Sequence, residues 1–405
     1  MDANWNAYSL AFNSGASSFS LVSAGNEGLT LYAGGITNSS SSAQSIQVQL
    51  TAAANQTWSA SSGALSFSNI VNIGSNSVTI GGAANTTFNN QVDGSGNLIA
   101  NQSGTATFNG QINNSSGTVS VTGSGTTVFN GQISSSGGMT VSGIGSVSVT
   151  SSVQLGAGNL TLSGSGSENF GGAAINAGNI SITGSGNQTI SSVMNSNSFT
   201  QSGSGTTTIA GTGQNYTGTT SITGGTVVLN NSSGDALGSS VTVSGSGSLV
   251  FDTSNQLPSY TNLTLASGGT LNLNGTSQTL ASLTVTGNSV VDFGPSSSLS
   301  VSSLDLVGSA TLTVENWSGS SSSFDASLNP GSSNLASVVF EPGNETATWG
   351  SGSISPVPEP RIYGAVFVGS TMGALLFVRG FRRKGPARGD PADSGPFRGG
   401  HTLPT

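Results

Sequence analysis

Six carboxylates fall within one stretch of the chain: Asp235, Asp252, Asp292, Asp305, Glu315 and Asp325. A pair of such groups flanking a glycosidic bond can hydrolyse it, one as acid and the other as base or nucleophile. Their irregular spacing suits solvated corners better than a designed pair. Little else in the chain is chemically competent. The single histidine is His401, there is no cysteine, and residues 1–360 contain neither Lys nor Arg. A Ser-His-Asp arrangement, a thiolate nucleophile and a lysine base are therefore excluded from that stretch. Calcium sites need dense oxygen ligands, and the Gly-Gly-x-Gly-x-Asp repeat of calcium-binding solenoids is missing. No metal, cofactor or catalytic residue is expected. Triplets such as Asn55-Gln56-Thr57 arise by chance in text this rich in Asn, Ser and Thr.

The charges are segregated. Residues 1–360 carry seven Asp and six Glu, a charge of −13, whereas all seven basic residues lie between Arg361 and Arg398. A body without a cation cannot neutralise phosphates, so nucleic acid is excluded as a partner. Only 5% of residues are charged and 61 are glycine, far from an ordinary globular mix.

What positions these residues is a repeat. Asn159 to Gly166 reads Asn-Leu-Thr-Leu-Ser-Gly-Ser-Gly, and Asn179 to Gly186 reads Asn-Ile-Ser-Ile-Thr-Gly-Ser-Gly. Apolar residues alternate with polar ones, the pattern of a half-buried strand. The Gly-Ser-Gly that follows reads as a corner whose glycines permit unusual backbone angles. The Gly-x-Gly pairs lack the strand-to-helix context of a dinucleotide fingerprint, so they are turns. Taking the second glycine as an anchor gives Gly63, Ala84, Gly104, Gly125, Gly145, Gly166, Gly186, Gly205, Gly225, Gly247, Gly269, Gly287 and Gly308, in steps of 18 to 22 residues. Four residues after every anchor stands an apolar residue: Phe67, Phe88, Phe108, Phe129, Val149, Phe170, Ile190, Ile209, Leu229, Phe251, Leu273, Val291 and Leu312. A disordered Gly/Ser tract has no reason to keep such phase. The period predicts an all-β solenoid of about 20 residues per turn over residues 1–314, with the apolar residues stacked as an internal ladder.

Residues 315–355 lose the period but keep Trp317, Phe324 and Trp349, as expected of an irregular β cap and linker. Pro356-Val357-Pro358-Glu359-Pro360 then breaks regular structure. The uncharged run Ile362–Val378 is long enough for a short bilayer span and is followed by Arg379, Arg382, Arg383 and Lys384. That asymmetry predicts one transmembrane helix with the body outside and the basic cluster in the cytoplasm. Residues 385–405, polar and rich in Pro and Gly, are expected to be a disordered cytoplasmic tail.

Two segments resemble known families. Residues 203–211, Asn215-Tyr216-Thr217-Gly218, Ile222–Leu229 and Ala236-Leu237-Gly238 resemble the autotransporter-associated β-strand repeat. That resemblance implies a right-handed parallel β-helix of a bacterial surface protein. Val357-Pro358-Glu359-Pro360, the apolar run and Arg382-Arg383-Lys384 resemble the PEP-CTERM sorting signal, which would occupy residues 356–384. It implies recognition by an exosortase, with Pro-Glu-Pro as the processing site, in a Gram-negative bacterium. Relatives of this type also carry an export signal. Met1–Trp5 has neither a basic nor an apolar leader, so the start reads as misplaced or truncated. Polysaccharide lyases of β-helical shape generally use Arg or Lys, which the body lacks.

The expected function is therefore a structural protein of the cell surface or extracellular matrix, not an enzyme. It would pass through the inner membrane as a single-span intermediate and meet an exosortase-type enzyme and extracellular polysaccharide. A glycan-binding adhesin would differ by an exposed aromatic platform, and a polysaccharide-modifying enzyme by a carboxylate pair facing one groove.

Overall fold

The computed structural model describes residues 3–211 and 216–357. They form an all-β solenoid of the right-handed type, about 15 turns of about 21 residues each, against about sixteen turns expected from the sequence over residues 1–340. Strands pair in parallel with the strand one turn later, and the ~4.8 Å spacing of neighbouring strands makes the array about 70 Å long. The described residues form one compact unit.

Each regular turn has three short strands. The first face carries the predicted ladder, in register from Ile46 through Phe67, Phe88, Phe108, Phe129, Val149, Phe170, Ile190, Ile209 and Leu229 to Phe251. Phe67, Phe88, Phe108 and Phe129 stack ring on ring, with centroids 4.7, 4.8 and 5.1 Å apart. Rung spacing and ring stacking thus coincide, and each such contact adds about 0.5–1.5 kcal/mol beyond its buried area. A second face carries Val71, Val92, Ile112, Ile133, Val153, Ile175 and Met194, and a third carries Val78, Leu98, Val119, Met139, Leu160 and Ile180. All of these side chains are buried. The second face was not anticipated from the sequence. Its signal is the second apolar residue four after the ladder position, as in Phe108-Asn-Gly-Gln-Ile112 and Phe129-Asn-Gly-Gln-Ile133.

Two expectations change. Beyond Leu273 the anchor rule falls short of the ladder position, by two residues at Val291, which pairs with Leu271 and Val314, and by four at Leu312, which pairs with Ser289. The slip belongs to the corner alone, since Leu263, Leu283 and Leu304 on the third face remain in register. The reason for the corner glycines also differs. From Gly104 to Gly205 none of the anchors has a positive φ. A β-carbon on Gly125, Gly145, Gly166, Gly186 or Gly205 would instead stand 1.8–1.9 Å from the carbonyl oxygen of the preceding anchor. Close approach between stacked corners, rather than torsion, requires glycine there.

Parallel pairing continues to Val338–Phe340. Antiparallel pairs follow at Glu345–Gly350 and Ser353–Pro356, beside the five-residue helix Ser332–Ala336. No helix among the described residues is long and apolar enough to cross a membrane. The expected span Ile362–Val378 and the tail beyond it lie outside the described residues.

Candidate functional site

Of the predicted sorting residues only Val357 is described. It is exposed, and its N–H donates to the Thr346 carbonyl at 2.8 Å, just past the last strand. Pro358, Glu359, Pro360, Arg379, Arg382, Arg383 and Lys384 lie outside the described residues.

The six carboxylates are dispersed, with one exception. Asp292 and Glu315 occupy the same register position on adjacent turns. Val291 and Phe293 point inward on either side of Asp292, so strand alternation turns its carboxylate outward. It accepts hydrogen bonds from Asn272 Nδ2 at 3.1 Å, Asn316 Nδ2 at 2.8 Å and the Gly294 N–H at 3.0 Å. These three hydrogen bonds tie the carboxylate to its own turn and to the turns on either side. Asp252 accepts from Asn274 Nδ2, 22 residues later, at 3.0 Å, Asp305 pairs with Thr284 on the third face, and Asp325 lies opposite Ser300. Among the described residues no group of three or more His, Cys, Asp or Glu could hold a metal ion.

Asp235 differs from the rest. After Val193–Asn195 the second face gives way to loops, and Asp235 sits in one of them, half-buried. It lines a hollow of about 310 Å³ together with Tyr216, Thr217, Ser239, Pro258 and Tyr260. Burial pushes its carboxyl above the usual range. Tyr260 is 67% exposed, whereas Tyr216 is buried and its hydroxyl donates to the Thr219 carbonyl. Burial pushes the Tyr216 phenol up to about 12. A neighbouring hollow of about 340 Å³ is lined by Asn179, Asn195, Ser196 and Asn197 and shares Thr217 with the first.

One buried carboxylate was missed in the sequence. Glu168 stands two residues before the ladder residue Phe170, and period-two alternation therefore sends it inside, where it is 2% exposed. Its Oε2 accepts from Gln188 Nε2 at 2.9 Å, while its Oε1 has no partner. Desolvation raises its pKa, partly offset by the Gln188 hydrogen bond. It belongs to an internal polar column of Thr127, Glu168, Gln188 and Thr207, with Val147 between the first two. Enclosed by the core, Glu168 has no route to a substrate.

No protein-family model, curated protein or solved structure matches the chain.

Proposed function

We propose that the protein is an exported structural element of the cell surface or extracellular matrix, delivered by its C-terminal segment. The observation that carries this reading is the separation of charge: no Lys or Arg in residues 1–360, and all seven basic residues beyond them, flanking the apolar run. In this reading Ile362–Val378 spans the inner membrane, and the cations at 379–384 stay on the cytoplasmic side. An exosortase-type enzyme then cuts near Pro358-Glu359-Pro360, and the solenoid is released or displayed. Its surface suits that destination. On the third face the outward position is Ser120, Thr140, Thr161, Ser181, Thr200, Ser221, Thr242, Thr264 and Thr284 on nine successive turns. A hydroxyl stripe without cations stays hydrated and has no strong attraction to phosphate-bearing surfaces.

The test is expression of the full chain behind a working export signal in a host with an exosortase-type enzyme. Surface protein should lack the residues after the Pro-Glu-Pro motif, and replacing Pro358, Glu359 and Pro360 by Ala should leave it uncut. Full-length protein in the soluble cytoplasmic fraction, despite the export signal, would overturn the reading.

A further inference from the structure

The two hollows that meet at Thr217 lie on one corner of the solenoid, the turn immediately before each third-face strand. On successive turns this corner is formed at Ala157, Gly178, Asn197, Thr217, Gly238 and Pro258. Stacked backbone keeps it low: a β-carbon on Gly178 would meet the Ala157 carbonyl at 2.5 Å, and one on Gly238 the Gly218 carbonyl at 2.6 Å. The two hollows share Thr217 and so adjoin along this corner, making a shallow channel of the described residues. It covers five turn-to-turn steps, about 24 Å at the interstrand spacing.

Its lining changes along its length. At one end Asn179, Asn195 and Asn197 present exposed amides, two of which also donate within the solenoid, Asn179 Nδ2 to Asn159 Oδ1 at 3.1 Å and Asn195 Nδ2 to Asn176 Oδ1 at 2.6 Å. Asn179 is held in place by Asn159 and Ser198, with Ser198 Oγ donating to its Oδ1 at 2.7 Å. At the other end the exposed Tyr260 lines the same hollow as Asp235, whose carboxyl oxygens can accept hydroxyl protons. Amides that both donate and accept, one carboxylate and one exposed aromatic face are the groups that recognise a polyhydroxylated chain with apolar C–H faces. The channel is open at the surface and runs on from turn to turn, which suits a segment of a polymer rather than a small molecule.

We infer that this corner channel, from Asn179 to Tyr260, binds an extended neutral polysaccharide, with Tyr260 stacking on one sugar and Asp235 accepting from its hydroxyls. Anionic glycans are disfavoured, because residues 1–360 supply no Lys or Arg to meet them and Asp235 repels them. The inference concerns the channel alone and stands apart from how the protein reaches the surface.

The experiment is retention of the full chain on immobilised polysaccharides: neutral glucans, mannan, galactan and xylan, against alginate, polygalacturonate and the cationic chitosan. At least one neutral polymer should retain the protein, and the anionic ones should not. Tyr260→Ala and Asp235→Ala should each weaken that retention at least tenfold, whereas Thr242→Ala, on the flat hydroxyl stripe, should leave it unchanged. Failure of every neutral polymer to bind, or binding confined to the charged ones, would overturn the inference. So would retention that survives both channel substitutions or is lost equally in Thr242→Ala.

Discussion

The turns from Ala84 to Gly205 and those from Gly225 to Gly308 perform the same fold with different corners. In the first set the anchor glycines from Gly104 to Gly205 have no positive φ and are packed so closely that no β-carbon fits between turns. In the second set the chain turns by left-handed residues: Gly225, Gly245, Gly268, Gly294 and Gly308, with Asn255, Asn274 and Ser296 sharing the task. A close-packed corner is a collective object, because each glycine is the space into which the next one fits. A left-handed turn tolerates Asn or Ser where it stands clear of its neighbours, as Gly308 does, although β-carbons on Gly225 and Gly268 would still come within 2.3 and 2.1 Å of the preceding turn. This accounts for the even 19- to 21-residue steps of the first set and the looser 18- to 22-residue steps of the second. The interior changes at the same point. Thr86, Thr127, Glu168, Gln188 and Thr207 line one column of the first set, and Val227, Leu249, Leu271, Val291 and Val314 continue it in the second.

The largest effect is expected where the first set is most continuous. Phe129 is fully buried and is stacked on Phe108. Phe129→Asp places an unpaired charge among hydrocarbon, and a loss of about 4 kcal/mol or more is expected in denaturant unfolding. An unchanged midpoint would show that the ladder does not hold the turns together.

The corners separate the two sets directly. Gly166→Ala should destabilise by on the order of 3 kcal/mol, since the added carbon would lie 1.8 Å from the Gly145 carbonyl oxygen and backbone on two turns must move. Gly308→Ala meets nothing within 4 Å and has only a φ of 69° to contend with, so about 1 kcal/mol is expected. Equal losses in paired thermal melts would erase the distinction between close approach and torsion.

The same contrast explains what the sequence disclosed. The solenoid and its ladder were legible because stacking forces one residue type to recur at one position in every turn, as Phe67 to Phe129 do. The glycines were located correctly but for the wrong reason, because sequence alone does not tell a torsion from a contact with the next turn. The anchor failed at Val291 because Gly287 stands earlier in a corner of unchanged length, and at Leu312 because the left-handed corner at Gly308 holds two extra residues between strands that keep their register. Neither the channel nor its lining was legible. Tyr260, Asp235 and Asn179 are far apart in sequence, and only stacking of loops with no common pattern brings them onto one corner. Glu168 was legible in principle, since it shares parity with Phe170, but parity is informative only once the strand is known to face a closed core.

Glu168 gives the smallest expected effect, because a single group titrates. Its folded-state pKa lies above the ordinary glutamate value, so below that value the carboxyl is protonated in both folded and unfolded chains and costs nothing. As pH rises toward the folded pKa, the unfolded chain releases its proton first, and stability falls. Above the folded pKa the full penalty of a buried anion is present. Val147 and Gln188, its neighbours in the column, do not titrate, and the remaining carboxylates are common to parent and variant. Glu168→Gln keeps an oxygen to accept from Gln188 and removes the charge. Melting temperatures of parent and variant, followed from pH 4 to pH 8, should therefore coincide at the acid end and separate upward, with the variant more stable at neutral pH. Parallel curves would mean that Glu168 reaches water or a partner in the folded protein. The polar column of the first set would then be a solvated seam rather than part of its core.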